Sequence, residues 1–178
     1  QTSALGAALW LQQWELTHVA MTGANLNRDG NHHPNIPGFY GTYRTSDGGV
    51  IMLAQVMDQE GWDSFCIFAD VLELSLDPRF QTPGRRLGEG ITKEDTIELR
   101  GILKTAFAQK TMGQWVDFLY TQPEIIWERV RDWKEVLEDG QNFANGYLTK
   151  INVPGAGETL TVGNLIALSE TPGSEKGN

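Results

Sequence analysis

The stretch Phe39-Tyr40-Gly41-Thr42-Tyr43-Arg44-Thr45, then Ser46-Asp47-Gly48-Gly49, then Val50-Ile51-Met52-Leu53-Ala54-Gln55-Val56 decides the fold. Two runs rich in aromatic, Thr and β-branched residues flank an Asp-Gly pair. A tight chain reversal needs positive φ, which Asp-Gly supplies, so the pattern predicts a β-hairpin. Upstream, residues 24–38 form a loop of Asn, Gly, Pro and His. Its length is unusual for a compact domain and marks function, a partner surface or mobility. Before it, 4–22 reads as one helix. Leu5, Ala8, Leu9, Gln12, Leu16, Val19 and Ala20 recur at helical spacing, Trp10 and Trp14 stand four apart, and Gly23 is the stop signal.

Downstream of the hairpin, Asp58 can cap a helix whose inner face is Trp62, Phe65, Cys66 and Ala69. Asp77-Pro78 breaks that pattern, Phe80 anchors the turn, and Arg85 and Arg86 open a polar, Gly-containing stretch. Thr92-Lys93-Glu94-Asp95 resembles a capping box ahead of Leu99, Ile102, Leu103, Ala106 and Phe107. Thr111-Met112-Gly113-Gln114 is a second one, ahead of Trp115, Phe118 and Leu119, and Pro123 ends that helix. Residues 125–130 read as a short strand. Residues 133–137 read as a short helix, with 141–144 as a candidate continuation. Residues 146–153 and 158–168 read as strands around Pro154-Gly155-Ala156-Gly157, and 169–178 is a loose polar tail. The order is helix, hairpin, several helices, then scattered strands. That predicts an α+β fold, a small antiparallel sheet with a β-hairpin flanked by several helices. No G-x-G-x-x-G follows a strand and no G-x-x-x-x-G-K-[ST] occurs, so a nucleotide-binding doubly wound sheet is not encoded here.

Composition narrows the function classes. The 178 residues are 40% hydrophobic and include six Trp, seven Phe and four Tyr, enough to build one sizeable core. A single Cys excludes a disulfide scaffold. The formal net charge of −9 repels phosphate backbones and anionic membranes, so neither nucleic acid nor membrane is an expected partner. No apolar run reaches the roughly 20 residues of a membrane span. The chain begins with Gln1 and shows no basic segment ahead of an apolar core. With one Cys, that points to a reducing, cytoplasmic setting.

Among groups that could carry chemistry, Asn27-Arg28-Asp29-Gly30-Asn31 is the best candidate. Gly30 permits positive φ and close backbone approach, Arg28 and Asp29 supply charge, and Asn27 and Asn31 supply amide donors and acceptors. A surface turn without function has equal weight. Adjacent His32 and His33 point opposite ways in an extended loop and cannot easily share an ion, so no metal site is expected. Cys66 sits on an apolar helix face, where packing outweighs reactivity. Glu124, Glu128, Glu135, Glu138 and Asp139 read as a solvated face, and Trp10 and Trp14 as packing against another surface.

Several of these stretches together resemble the class III CoA-transferases, the family of carnitine, formyl and bile-acid CoA-transferases and α-methylacyl-CoA racemases. Residues 39–45, Asp47-Gly48 and 50–54 match its Y-x-T-Y-R-T-x-D-G-x-x-x-x-L-A segment. Trp62, Asp77-Pro78-Arg79-Phe80 and Trp115 follow in the family's order. Val136-Leu137, Asp139 and Ala144-Asn145-Gly146-Tyr147-Leu148 match its E-V-L-x-D-x-Q-x-x-A-N-G-Y-L segment, and Ser169-Glu170-Thr171-Pro172-Gly173 its closing S-x-T-P-G.

The resemblance implies the small domain and C-terminal portion of such an enzyme. Residues 1–23 would be a linker helix from a large domain, 24–145 the small α+β domain, and 146–178 the C-terminal strands and tail. It implies transfer of CoA between an acyl thioester and a carboxylic acid, with coenzyme A thioester as substrate of the parent enzyme. The CoA-binding half and its catalytic Asp would lie upstream, so this chain would hold no catalytic residue, bind no cofactor alone and be inactive alone. In formyl-type members a Gly-rich loop precedes the hairpin and covers the active site. Here 27–31 hold that place with one Gly, as the substrate-facing loop. The implied partner is the large CoA-binding domain or a second subunit, with the chain in a homo-oligomer. Two other readings stand beside this one: a non-catalytic binding or assembly module, and a racemase-type member. A detached lobe would also expose apolar residues such as Trp10, Trp14 and Leu16.

Overall fold

The computed structural model describes residues 3–28, 30–164 and 168–171. It divides into two compact units, Gln1–Val130 and Arg131–Asn178.

The first unit begins with α1 (Ala4–Leu11), capped by the Ser3 hydroxyl, and α2 (Gln13–Thr22), ended by left-handed Gly23. The apolar spacing predicts one helix; the chain makes two. At Gln12 the backbone N–H bonds Leu9 O, three residues back, which tightens the last turn of α1 and starts a new helix. Neither helix buries a residue, and Trp10 and Trp14 are 73% and 53% exposed.

The hairpin follows as β1 (Gly41–Arg44) and β2 (Val50–Val56), antiparallel with Tyr43 opposite Ile51. Asp47 does more than make the turn. Its carboxylate accepts from the Thr45 hydroxyl at 2.6 Å and from the Met112 N–H at 3.0 Å. Those two bonds, the hydroxyl first, hold its pKa below the usual carboxylate value. The hairpin tip is thereby tied to a helix start 65 residues further on.

Next come α3 (Gln59–Phe68), α4 (Leu72–Leu76), a 3₁₀ turn at Pro78–Phe80, α5 (Pro83–Leu87), α6 (Lys93–Phe107) and α7 (Met112–Leu119). Both Thr capping boxes form. β3 (Ile125–Arg129) then pairs antiparallel with β2, giving the order β1-β2-β3. The core between this sheet and the helices is aromatic. Phe107 stacks on Trp115 at 3.9 Å, Trp62 on Phe65 at 5.7 Å, and Phe39 meets both Trp62 and Phe65 edge-on. Both buried indoles donate, Trp62 to Leu74 O and Trp115 to Phe107 O.

The stretch expected to be polar from Arg85 onward differs. Arg86 is fully buried on α5. Its guanidinium donates to the carbonyls of Phe80, Val56, Asp58 and Gln81 and to Gln59 Oε1, at 2.6–3.4 Å, and lies 5.0 Å from the Trp62 ring. Those acceptors come from segments up to 30 residues apart, which a linear reading does not bring together.

In the second unit α8 (Trp133–Glu138) is capped by Asp132, and Asp139 caps a separate α9 (Gly140–Ala144). Residues 141–144 therefore start afresh at Asp139, whose extended backbone ends α8, rather than continuing it. β4 (Leu148–Val153) and β5 (Gly157–Val162) form a hairpin. The expected strand ran to 168, but β5 ends at Val162, and residues 165–167 lie outside the described ones.

Two outcomes follow. Replacing Arg86 with Leu strands several carbonyls, each costing roughly 1–3 kcal/mol when buried without a partner. Urea denaturation should show a loss of at least about 3 kcal/mol, and Arg86→Lys, lacking the planar fork, should recover only part of it. The Cys66 thiol is fully buried, and burial first, then Asp63, pushes its pKa up to about 12. It should react with a thiol reagent at pH 8 only after denaturation.

Candidate functional site

The loop from Asn25 to Pro37 is held to the body by its histidines. His32 Nδ1 lies 3.0 Å from Tyr40 O, and its ring meets Tyr43 edge-on at 6.0 Å. His33 packs on Trp14 at 4.5 Å and accepts from Asn35 N–H through Nδ1. The Asn35 amide reaches His18 Nδ1 at 3.1 Å. His33 and Ile36 form a single antiparallel bridge. The histidines thus stitch the loop to α2 and β1, and among the described residues no three metal-ligating side chains converge.

Gly38 and Phe39 close the loop by donating to Leu87 O and Arg86 O. Gly41 admits His32, because a Cβ there would come within 2.5 Å of His32 Nδ1. Left-handed Gly88 (φ 111°) meets Pro37 in the same way, its Cβ position 2.7 Å from Pro37 Cγ.

Two cavities open beneath this loop. One, of about 470 Å³, is lined by Asn25, Leu26, Asn27, Arg28, Pro34, Pro37 and Gly88 on one side and Ile91, Thr92, Lys93, Thr96 and Arg100 on the other. The second, of about 590 Å³, is lined by Gly30, Asn31, His32, Thr42, Tyr43 and Arg44, with Ile97, Arg100, Gly101 and Lys104 opposite. Arg100 belongs to both linings. Of the candidate loop residues, Asn27 and Arg28 face the first cavity and Gly30 and Asn31 the second. Asp29 lies outside the described residues. Gly30 takes positive φ (59°), the freedom for which it was singled out.

The sequence reading of α6 followed its apolar face and overlooked the opposite one. Lys93, Ile97, Arg100 and Lys104 are spaced i, i+4, i+7 and i+11, which brings them within about 60° of arc on one stripe. All four line the cavities. Two acids of α6, Asp95 and Glu98, turn to Arg79. Arg79 bonds Asp77, Asp95 and Glu98 at 2.6–3.3 Å. The Thr92 hydroxyl, then Arg79, lowers the Asp95 pKa to about 2. The Tyr43 hydroxyl points away from ionisation: it donates to Phe39 O at 2.9 Å, and burial raises its pKa far above the ordinary phenol value.

An α+β structure with two open cavities under a loop is the class of structure these features define. Residues 1–177 of the 178 match the model of CoA-transferase family III, and the chain belongs to that family. Its fold is similar to that of a CAIB/BAIF family protein from Brucella suis, with a TM-score of 0.67 and 21% identity, over 92% of this chain and 39% of that one. It is also similar to Rv3272 from Mycobacterium tuberculosis, with a TM-score of 0.62 and 21% identity, over 97% of this chain and 42% of that one. The chain thus spans about two fifths of the length of these solved structures. No curated protein is significantly similar to it in sequence. Among the described residues, no helix is long and apolar enough to cross a membrane.

Replacing Gly41 with Ala should dislodge His32 from Tyr40 O at a cost of roughly 1–3 kcal/mol. The check is twofold: a lower thermal midpoint, and NMR shift changes confined to residues 30–43, with the Trp62 and Trp115 indole signals unmoved.

Proposed function

We propose that this chain is the small lobe of a class III CoA-transferase, where it closes over an acyl-CoA thioester held largely by a second, larger lobe. The observation that carries this reading is the pair of cavities between the 25–37 loop and α6, in a chain of this family. The resemblance assigns the nucleophile to an Asp of the large lobe. A carboxylate there would attack the thioester carbonyl, expel CoA thiolate and form an acyl anhydride. The thiolate would then attack the aspartyl carbonyl, releasing the donor acid and leaving an aspartyl-CoA thioester. An acceptor carboxylate would run the same two steps in reverse, leaving as the new acyl-CoA and restoring the Asp. In this proposal the loop residues Asn27, Arg28, Asp29, Gly30 and Asn31 screen that chemistry from water and orient the substrate; none is the nucleophile. Exposed Leu9, Trp10, Trp14 and Leu16 on α1 and α2 give the large lobe or a second subunit an apolar surface to cover.

The experiment is a turnover assay over a panel of acyl-CoA donors and carboxylate acceptors, resolved by chromatography. The chain alone should show no transfer. Joined to the large lobe of a family III transferase, it should restore transfer, and Trp10→Ser together with Trp14→Ser should weaken that restoration by at least about tenfold through lost burial. Turnover by the chain alone, or none with the large lobe present, would overturn the reading.

A further inference from the structure

Each of the three histidines around the 25–37 loop meets a different kind of partner, and the partner fixes which ring nitrogen holds the proton. His32 Nδ1 lies 3.0 Å from Tyr40 O, a carbonyl that can only accept. Nδ1 therefore carries hydrogen, and the bond survives when the ring gains a second proton. His18 Nδ1 faces the Asn35 side-chain amide at 3.1 Å. A rotated amide can offer its oxygen in place of its nitrogen, so this contact also adapts to a charged ring. His33 Nδ1 accepts from the Asn35 backbone N–H at 3.2 Å. A backbone N–H only donates and is fixed in its peptide plane. That bond requires a neutral His33 with its proton on Nε2. A second proton would set two donors against each other.

The surroundings decide which side of that clash gives way. The Trp14 ring lies 4.5 Å from the His33 ring, and an indole attracts an imidazolium. A charged His33 is thereby held on α2, and Asn35 is the partner that moves. The charged groups on the neighbouring elements are Glu15 of α2, next to Trp14, and Arg28, Lys93 and Arg100 in the lining of the first cavity. Among the described residues, no carboxylate pairs with His18 or His33. The turn that would open is 33–36, closed by Ile36 N–H on His33 O at 3.0 Å. Pro34 within it and Pro37 just after it both line the first cavity.

We propose that the 33–36 turn is a proton-operated latch above the first cavity. It is closed while His33 is neutral and open once His33 is charged. Both bonds to the histidines come from Asn35, one from its backbone and one from its side chain, so its displacement undoes the ties to His33 and His18 together. Pro34 and Pro37 then lose their fixed place over the cavity. The latch rests on hydrogen-bond geometry and is independent of what the cavity binds.

Nuclear magnetic resonance on the full chain tests this. Long-range nitrogen–proton spectra of the imidazoles at pH 8 should show His33 protonated on Nε2 and His32 on Nδ1. Between pH 8 and pH 5.5, where imidazoles change charge, the hydrogen-exchange protection of the Asn35 and Ile36 N–H groups, corrected for the intrinsic rate, should fall by about fivefold or more. His33→Asn supplies a side-chain oxygen that accepts from the N–H two residues on at any pH, so there the protection should change by less than about twofold. The Trp62 and Trp115 indole signals should stay in place throughout, which separates local opening from unfolding. A His33 ring protonated on Nδ1 at pH 8 overturns the latch without recourse to any variant. Protection that holds as the pH falls, or that falls equally in the His33→Asn protein, overturns it as well.

Discussion

A buried guanidinium organises the first unit. The Arg86 guanidinium donates to backbone carbonyls and one amide oxygen, an indole lies alongside, and the charges of Asp63 and Asp58 favour its cation from nearby. Burial lowers its pKa, yet it stays charged at any ordinary pH because the starting value is so high. One side chain thereby joins the end of β2, the start of α3 and the 3₁₀ turn. The backbone carbonyl of the same residue receives Phe39 N–H, and its neighbour Leu87 receives Gly38 N–H. The end of the 25–37 loop is thereby tied to the residue that joins these core segments.

α6 shows how one helix can serve three masters. Its apolar stripe, Leu99, Leu103, Ala106 and Phe107, enters the core. Its acidic edge is pinned by Arg79, and its basic edge faces the cavities.

Much of the fold was legible in the sequence because its signals are local. Asp47-Gly48 gave the hairpin, both Thr capping boxes formed, and Trp62, Phe65, Cys66 and Ala69 are buried together. The misreadings come from interactions that local patterns do not carry. The buried Arg86 depends on acceptors from distant segments, and the break at Gln12 depends on a single shifted hydrogen bond. Loop composition pointed to Asn27, Arg28, Asp29, Gly30 and Asn31; Asn27, Arg28, Gly30 and Asn31 line the two cavities, and Asp29 lies outside the described residues. The floor of the cleft was missed although its spacing was there to read: cations at i, i+7 and i+11 signal a charged helical face as surely as apolar residues signal a core. Arg44 was read only as part of a strand motif, since its cavity-facing role needs α6 beside β1.

The contacts of Trp14 with His33 and of His18 with Asn35 attach the roof of the cleft to α2. α2 buries nothing in its own unit. A neighbour that covered that helix would therefore press, through Trp14 and His18, on the loop above the cavities.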